Sequence, residues 1–181
     1  MKRNEQTPRL LIVAEDKATS TIAQGFIGNY IACRQNRCKI IRHARGFKDA
    51  IGMAKSLRLD VQNQDYVVVV IDYDNQDSKR YEKLTRELAS VPQHDRIFLL
   101  GSKDEAEKLL QSMKVHFNDT SLDLEGIGKR IAQECYDGHK PTAWETDSLD
   151  INYEVVWRLE KFVKPFLFNE RIKDNDNIPH V

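Results

Sequence analysis

Tyr66-Val67-Val68-Val69-Val70-Ile71-Asp72-Tyr73-Asp74 is the stretch that decides the fold. Four consecutive valines followed by isoleucine are too apolar for a surface element, and β-branched side chains favour a strand over a helix. An unbroken apolar run belongs to a strand covered on both faces, the usual state of a parallel sheet between helices. The run ends in two aspartates spaced two apart, which in extended backbone point to the same side. Such strand ends are where open α/β sheets bind ligands.

Working outward, Leu10 to Ala14 forms a second apolar run, and it ends in Glu15. Ile22, Phe26, Ile27, Tyr30 and Ile31 then fall at helical spacing. Cys38 to His43 reads as a strand that closes at Gly46, and Phe47, Ala50, Ile51, Ala54 and Leu57 mark an amphipathic helix. Beyond the valine run, Tyr81, Leu84 and Leu88 give another helix, which Pro92 ends before a strand at Arg96 to Leu100. Ser102 and Glu105 have the spacing of a capping box for the helix through Leu110. The alternation β-α-β-α-β-α-β-α predicts an α/β fold, a mostly parallel four-stranded sheet with helices on both faces.

Past Val115 the pattern becomes helical, with Leu122 to Cys135 and then a longer helix carrying Ile151, Val155, Val156, Leu159, Phe162, Val163 and Phe166 on one face. That face is expected to cover the flank of the sheet. The expected organisation is an α/β domain over residues 9–115, a helical extension over 116–168 packed on it, and a flexible polar tail over 169–181.

The 181 residues are 40% hydrophobic, enough for one α/β domain with a core. Lys plus Arg and Asp plus Glu are both 28, so net charge announces no nucleic-acid partner, although local patches can hide in a neutral total. No window approaches the roughly 18 apolar residues of a membrane span, and the N-terminus lacks the pattern of a signal peptide. A soluble cytoplasmic protein with no membrane partner is expected. Cys33, Cys38 and Cys135 have no metal or disulfide spacing and are read as buried thiols, and the five histidines form no ligand set. Trp144 and Trp157 are read as packing residues.

Glu15, Asp72 and Asp74 therefore come to the ends of two strands. Three carboxylates in one crevice repel and need a counter-charge to coexist. A hard divalent cation with oxygen ligands, Mg²⁺ or Mn²⁺, meets that need. Glu105 and Glu107 follow the fourth strand and are in place either to complete a metal shell or, the favoured reading, to serve the capping box and the helix dipole. Residues 34–48 hold Arg34, Arg37, Lys39, Arg42, Arg45 and Lys48 and no acid. Arg42, Arg45 and Lys48 lie toward the strand end and are the candidates for nucleic-acid phosphate, DNA or RNA.

Glu15 after strand one, Gly46 after strand two and Asp72-Tyr73-Asp74 after strand three resemble the TOPRIM superfamily over residues 9–115. Its small stand-alone members, the overcoming-lysogenization-defect and abortive-infection-associated nucleases, are similar in size. The resemblance implies Mg²⁺-dependent phosphodiester hydrolysis, with Glu15 in acid/base catalysis and Asp72 and Asp74 as metal ligands. It also implies a role in phage defence or mobile-element biology, with a separate ATPase subunit or a homodimer as partners. Asp16 stands where that family usually has glycine, and Thr19 where an acid is common. Two other readings stay open. One is a receiver-like signalling module, with Asp72 as phosphoacceptor and Ser102 as the hydroxyl. The other is an inactive TOPRIM-like interaction protein.

Overall fold

The computed structural model describes residues 8–28, 37–59, 64–73, 77–137 and 140–168. The chain is α/β, with an all-parallel sheet of four strands in the order β2-β1-β3-β4. The strands are β1 (Leu10–Ala14), β2 (Cys38–His43), β3 (Tyr66–Asp72) and β4 (Ile97–Ser102). The helices are α1 (Lys17–Phe26), α2 (Phe47–Ser56), α3 (Asp77–Ala89), α4 (Ala106–His116), α5 (Leu124–Tyr136) and α6 (Tyr153–Phe162). The helical face expected to include Tyr30 and Ile31 ends at Phe26, and those two residues lie outside the described set, as do Cys33 and residues 169–181.

Strand alternation divides the valine run between two cores. Val67, Val69 and Ile71, with Leu84 and Leu88 of α3 and Ile51 and Ala54 of α2, fill one face. Val68, with Leu10, Ile12 and Phe98, meets Ala23 of α1 and Val155, Val163, Leu167 and Phe168 of the C-terminal helices on the other. The chain steps from β1 outward to β2 under α1, then back across β1 to β3 under α2. Opposite directions of travel with right-handed crossovers require α1 and α2 on opposite faces, as found. Val155, Leu159, Val163 and Phe166 of the expected C-terminal face pack on the chain's own sheet, but Phe162, which its spacing placed on that face, is exposed. Tyr153 and Trp157 are exposed too, so Trp157 is not the packing residue expected of it, whereas Trp144 is half-buried.

α5 crosses α1 at glycine-to-backbone contact. A Cβ on Gly128 would stand 2.0 Å from the Ile22 carbonyl oxygen and 2.5 Å from the Phe26 nitrogen. Backbone atoms inside a helix cannot yield, so Gly128→Ala should cost about 1–3 kcal/mol. Gly52, inside α2, would meet nothing within 4 Å, and Gly52→Ala should raise stability by about 0.5–1 kcal/mol. Urea denaturation of the two variants measures this contrast; equal midpoints would mean that α1 and α5 are not in such close contact.

At the opposite end of the sheet, Asp65 is fully buried and meets Arg9 through both guanidinium prongs, the Nε donating to Oδ1 at 2.8 Å and Nη2 to Oδ2. This pair aligns the starts of β1 and β3. Cys38 is buried as expected and Cys135 half-buried, and burial pushes both thiols up to about 12. No helix among the described residues is long and apolar enough to cross a membrane.

Candidate functional site

β1 and β3 are adjacent and in register, Ala14 beside Val70, so Glu15 and the end of β3 arrive together. This is also where the strand order reverses direction, the crevice at which open α/β sheets take ligands. The Glu15 backbone N–H donates to the Val70 carbonyl at 2.9 Å, and the Glu15 carboxylate Oε2 accepts from the Asp72 N–H at 2.7 Å. Glu15 is 8% exposed and Asp72 half-buried. Arg80, from the first turns of α3, places a guanidinium nitrogen 3.7 Å from Glu15 Oε1 and lays the group over the Phe47 ring at 4.1 Å.

Gly46 closes the rim. Its N–H donates to the Glu15 carbonyl at 3.1 Å, and its φ of 110° is a backbone state that side-chain-bearing residues avoid. Arg45 and Lys48 flank it and are exposed, and the Arg45 N–H donates to Asp49 Oδ2 at 3.0 Å. Arg42 lies in β2 by its backbone, while its side chain is outside the described set, and Asp74 is outside it altogether. His43 is exposed.

Asp16 and Thr19 have a local purpose. Asp16 is the N-cap of α1: its Oδ1 accepts from the Thr19 N–H at 2.8 Å, and its own N–H donates to Thr19 Oγ1 at 3.1 Å. This reciprocal cap holds the Asp16 side chain to the helix start. The box expected from Ser102 and Glu105 does not form. β4 runs on through Ser102, which pairs with Asp72, so the helix starts only at Ala106, with Glu105 as an N-cap making no side-chain bond. Ser102 Oγ instead accepts from the Asp104 N–H at 3.1 Å, and Asp104 Oδ2 accepts from the buried Ser148 hydroxyl at 2.7 Å.

Tyr73, next in the chain after Asp72, lies close enough to Glu15 and Arg80 for their charges to act on its phenol. It continues the alternation of Val67, Val69 and Ile71 into the α2–α3 face and is fully buried, edge-on to Tyr81 at 6.0 Å. Burial drives its phenol pKa far upward, so it stays protonated. A Cβ on Gly101 would stand 2.2 Å from the Tyr73 ring, which explains glycine within β4.

The Glu15 carboxylate thus meets the backbone of Asp72. Among the described residues no group of three or more His, Cys, Asp or Glu side chains could hold a metal ion. The contact that joins Glu15 to Asp72 is made by the Glu15 carboxylate and the Asp72 backbone N–H, and the side chains the two positions offer are carboxylates, the donor type that suits Mg²⁺ rather than a softer ion. Asp72 is the half-open member. Glu15, held by a backbone N–H and facing Arg80, is placed to orient or move a proton. An apolar cavity of about 160 Å³ lies on the other sheet face among Ile12, Ala23, Val68, Ile131 and Val163, away from the Glu15–Arg80 pair.

No protein-family model, curated protein or solved structure matches the chain.

Proposed function

We propose that this protein processes phosphodiesters with Mg²⁺ or Mn²⁺, as a nuclease or nuclease-like effector. The observation that supports the reading is the arrival of Glu15 and Asp72 at neighbouring strand ends at the reversal point of the sheet, where the Asp72 backbone N–H donates to the Glu15 carboxylate at 2.7 Å. A role in phage defence or mobile-element biology and an ATPase or second copy as partner rest on the TOPRIM resemblance alone, and a cytoplasmic location rests on the sequence expectation.

Asp72, with Asp74, would hold the metal, which when bound supplies polarisation of the phosphodiester and charge stabilisation during in-line displacement. Glu15, fixed by the Asp72 N–H, accepts the proton of the attacking water. Arg80 sets a positive charge beside the position where negative charge develops. Calorimetric titration with MgCl₂ and MnCl₂ tests this, beside cleavage of plasmid, single-stranded DNA and RNA. Heat and cleavage are expected from the native protein, and neither from Asp72→Ala. A native protein silent in both assays would end the reading, and acetyl phosphate labelling at Asp72 would replace it with the receiver-like one.

A further inference from the structure

We propose that the slot between α2 and α3 is the track by which the phosphate backbone of a single nucleic-acid strand reaches the Glu15–Asp72 edge. The inference rests on the proposed function for the chemistry at the end of the track, though its binding test does not need that chemistry. The two helices lie side by side on one sheet face and run the same way, with Phe47 against Arg80 at one end and Lys55 paired to Glu87 at 3.3 Å at the other. Between them is a cavity of about 220 Å³ with a floor of Phe47, Ile51, Gly52 and Leu84. Lys48, Lys55 and Lys83 line it, and Glu87, already held by Lys55, is the acid among the lining residues.

Three features favour a phosphate polyanion over bulk solvent. The slot opens onto the candidate site: the Phe47 ring that forms its floor also carries the Arg80 guanidinium, which stands 3.7 Å from Glu15. Both helices begin at that end, so their positive dipole ends face the same rim. Gly52 sits in the floor, inside a helix where glycine is disfavoured, and no neighbour demands it: a Cβ there would meet nothing within 4 Å. What its lack of a side chain does is leave the slot deep. A cavity of about 220 Å³ holds a stretch of one backbone, whereas a duplex would touch only the lysines on its lip.

Fluorescence anisotropy with short labelled oligothymidine, oligouridine and a duplex of the same length, in EDTA, reads binding apart from hydrolysis. Lys48→Glu/Lys83→Glu should weaken single-strand binding by about tenfold or more near 0.1 M salt and lower the log–log salt slope by about 1–2. Lys108→Glu/Lys161→Glu, an equal charge change on other helices, should have a much smaller effect. Lys48→Gln/Lys83→Gln should lower affinity in the same direction, and circular dichroism checks that each variant folds. The proposal falls if the slot pair binds as well as the control pair, if the duplex binds more tightly than the single strands, or if the native protein shows no salt-dependent binding. Should the slot variants lose binding while the native protein cuts nothing with Mg²⁺, the track stands and the hydrolytic reading fails.

Discussion

On the proposed function, Glu15→Gln is expected to keep the fold and metal binding while lowering Mg²⁺-dependent cleavage by about 10²–10⁴-fold, the range of a positioned general acid or base. The substitution separates two things that Glu15 does. Its Oε2 accepts the Asp72 N–H at 2.7 Å, and an amide oxygen can still accept that bond. The negative charge facing Arg80 and the capacity to take a proton are both lost. A residue that only braced the strand ends would therefore tolerate Gln with little change in rate. Glu15→Ala, which removes the acceptor as well, should lower thermal stability in addition, because the half-buried Asp72 N–H loses its partner. Arg80→Met complements the pair: it leaves the buried Glu15 carboxylate without this counter-charge, so stability should fall, and any residual rate should depend more steeply on salt. Steady-state kinetics with thermal melts on the three variants decides the matter. A native rate in Glu15→Gln, with Mg²⁺ present, would sink the proton-handling role.

The sheet was legible because its signal is local. Val67 to Ile71 and Leu10 to Ala14 are covered on both faces, with only Val70 and Leu11 partly open, and two-sided cover writes itself as continuous apolar sequence. The meeting of Glu15 and Asp72 depends on β1 and β3 being neighbours, which single-strand patterns do not state. Arg80 was missed although it left a trace: it precedes Leu84 and Leu88 at i, i+4, i+8, a charge at the head of an apolar stripe. Lys48 was readable from the acid-free basic run of residues 34–48, but its pairing with Lys83 was not, since the two come from helices that only the sheet brings together. Ser102 misled because the capping-box pattern describes four residues, whereas pairing with Asp72 across the sheet extends the strand through it. The same pattern, with Thr in place of Glu, forms at Asp16 and Thr19, where no strand competes. Trp157 shows the limit of composition: an aromatic at helical spacing can face water when it lies outside the stripe of Val155, Val156 and Leu159.

Asn152→Ala is expected to cost about 3–5 kcal/mol, a large share of the roughly 5–15 kcal/mol that holds a domain folded. β4 is the outer strand, and an outer strand exposes backbone groups that need partners. Asn152, fully buried, supplies them with one side chain: its Oδ1 accepts from the Gly101 N–H at 2.8 Å, and its Nδ2 donates to the Gly101 carbonyl at 2.7 Å and the Leu149 carbonyl at 2.8 Å. The carboxamide thus takes the place of a fifth strand for one residue. Truncation would take this partner from the Gly101 N–H and carbonyl, each costing about 1–3 kcal/mol, while the Leu149 carbonyl keeps the Asn152 backbone N–H at 3.1 Å. Asn152→Asp keeps the shape but when ionised can only accept, so it would press a carboxylate against two carbonyl oxygens. Such a carboxyl is more easily protonated in the fold than in the unfolded chain. Stability should therefore be recovered in part as pH falls and be lost again as pH rises. Because Gly101 packs on Tyr73 and Ser102 pairs with Asp72, the loosened edge should also lower whatever activity Asp72 supports. Urea denaturation near neutral and acidic pH measures both variants, and an Asn152→Ala protein within about 0.5 kcal/mol of the native one would show that the edge is held by something else.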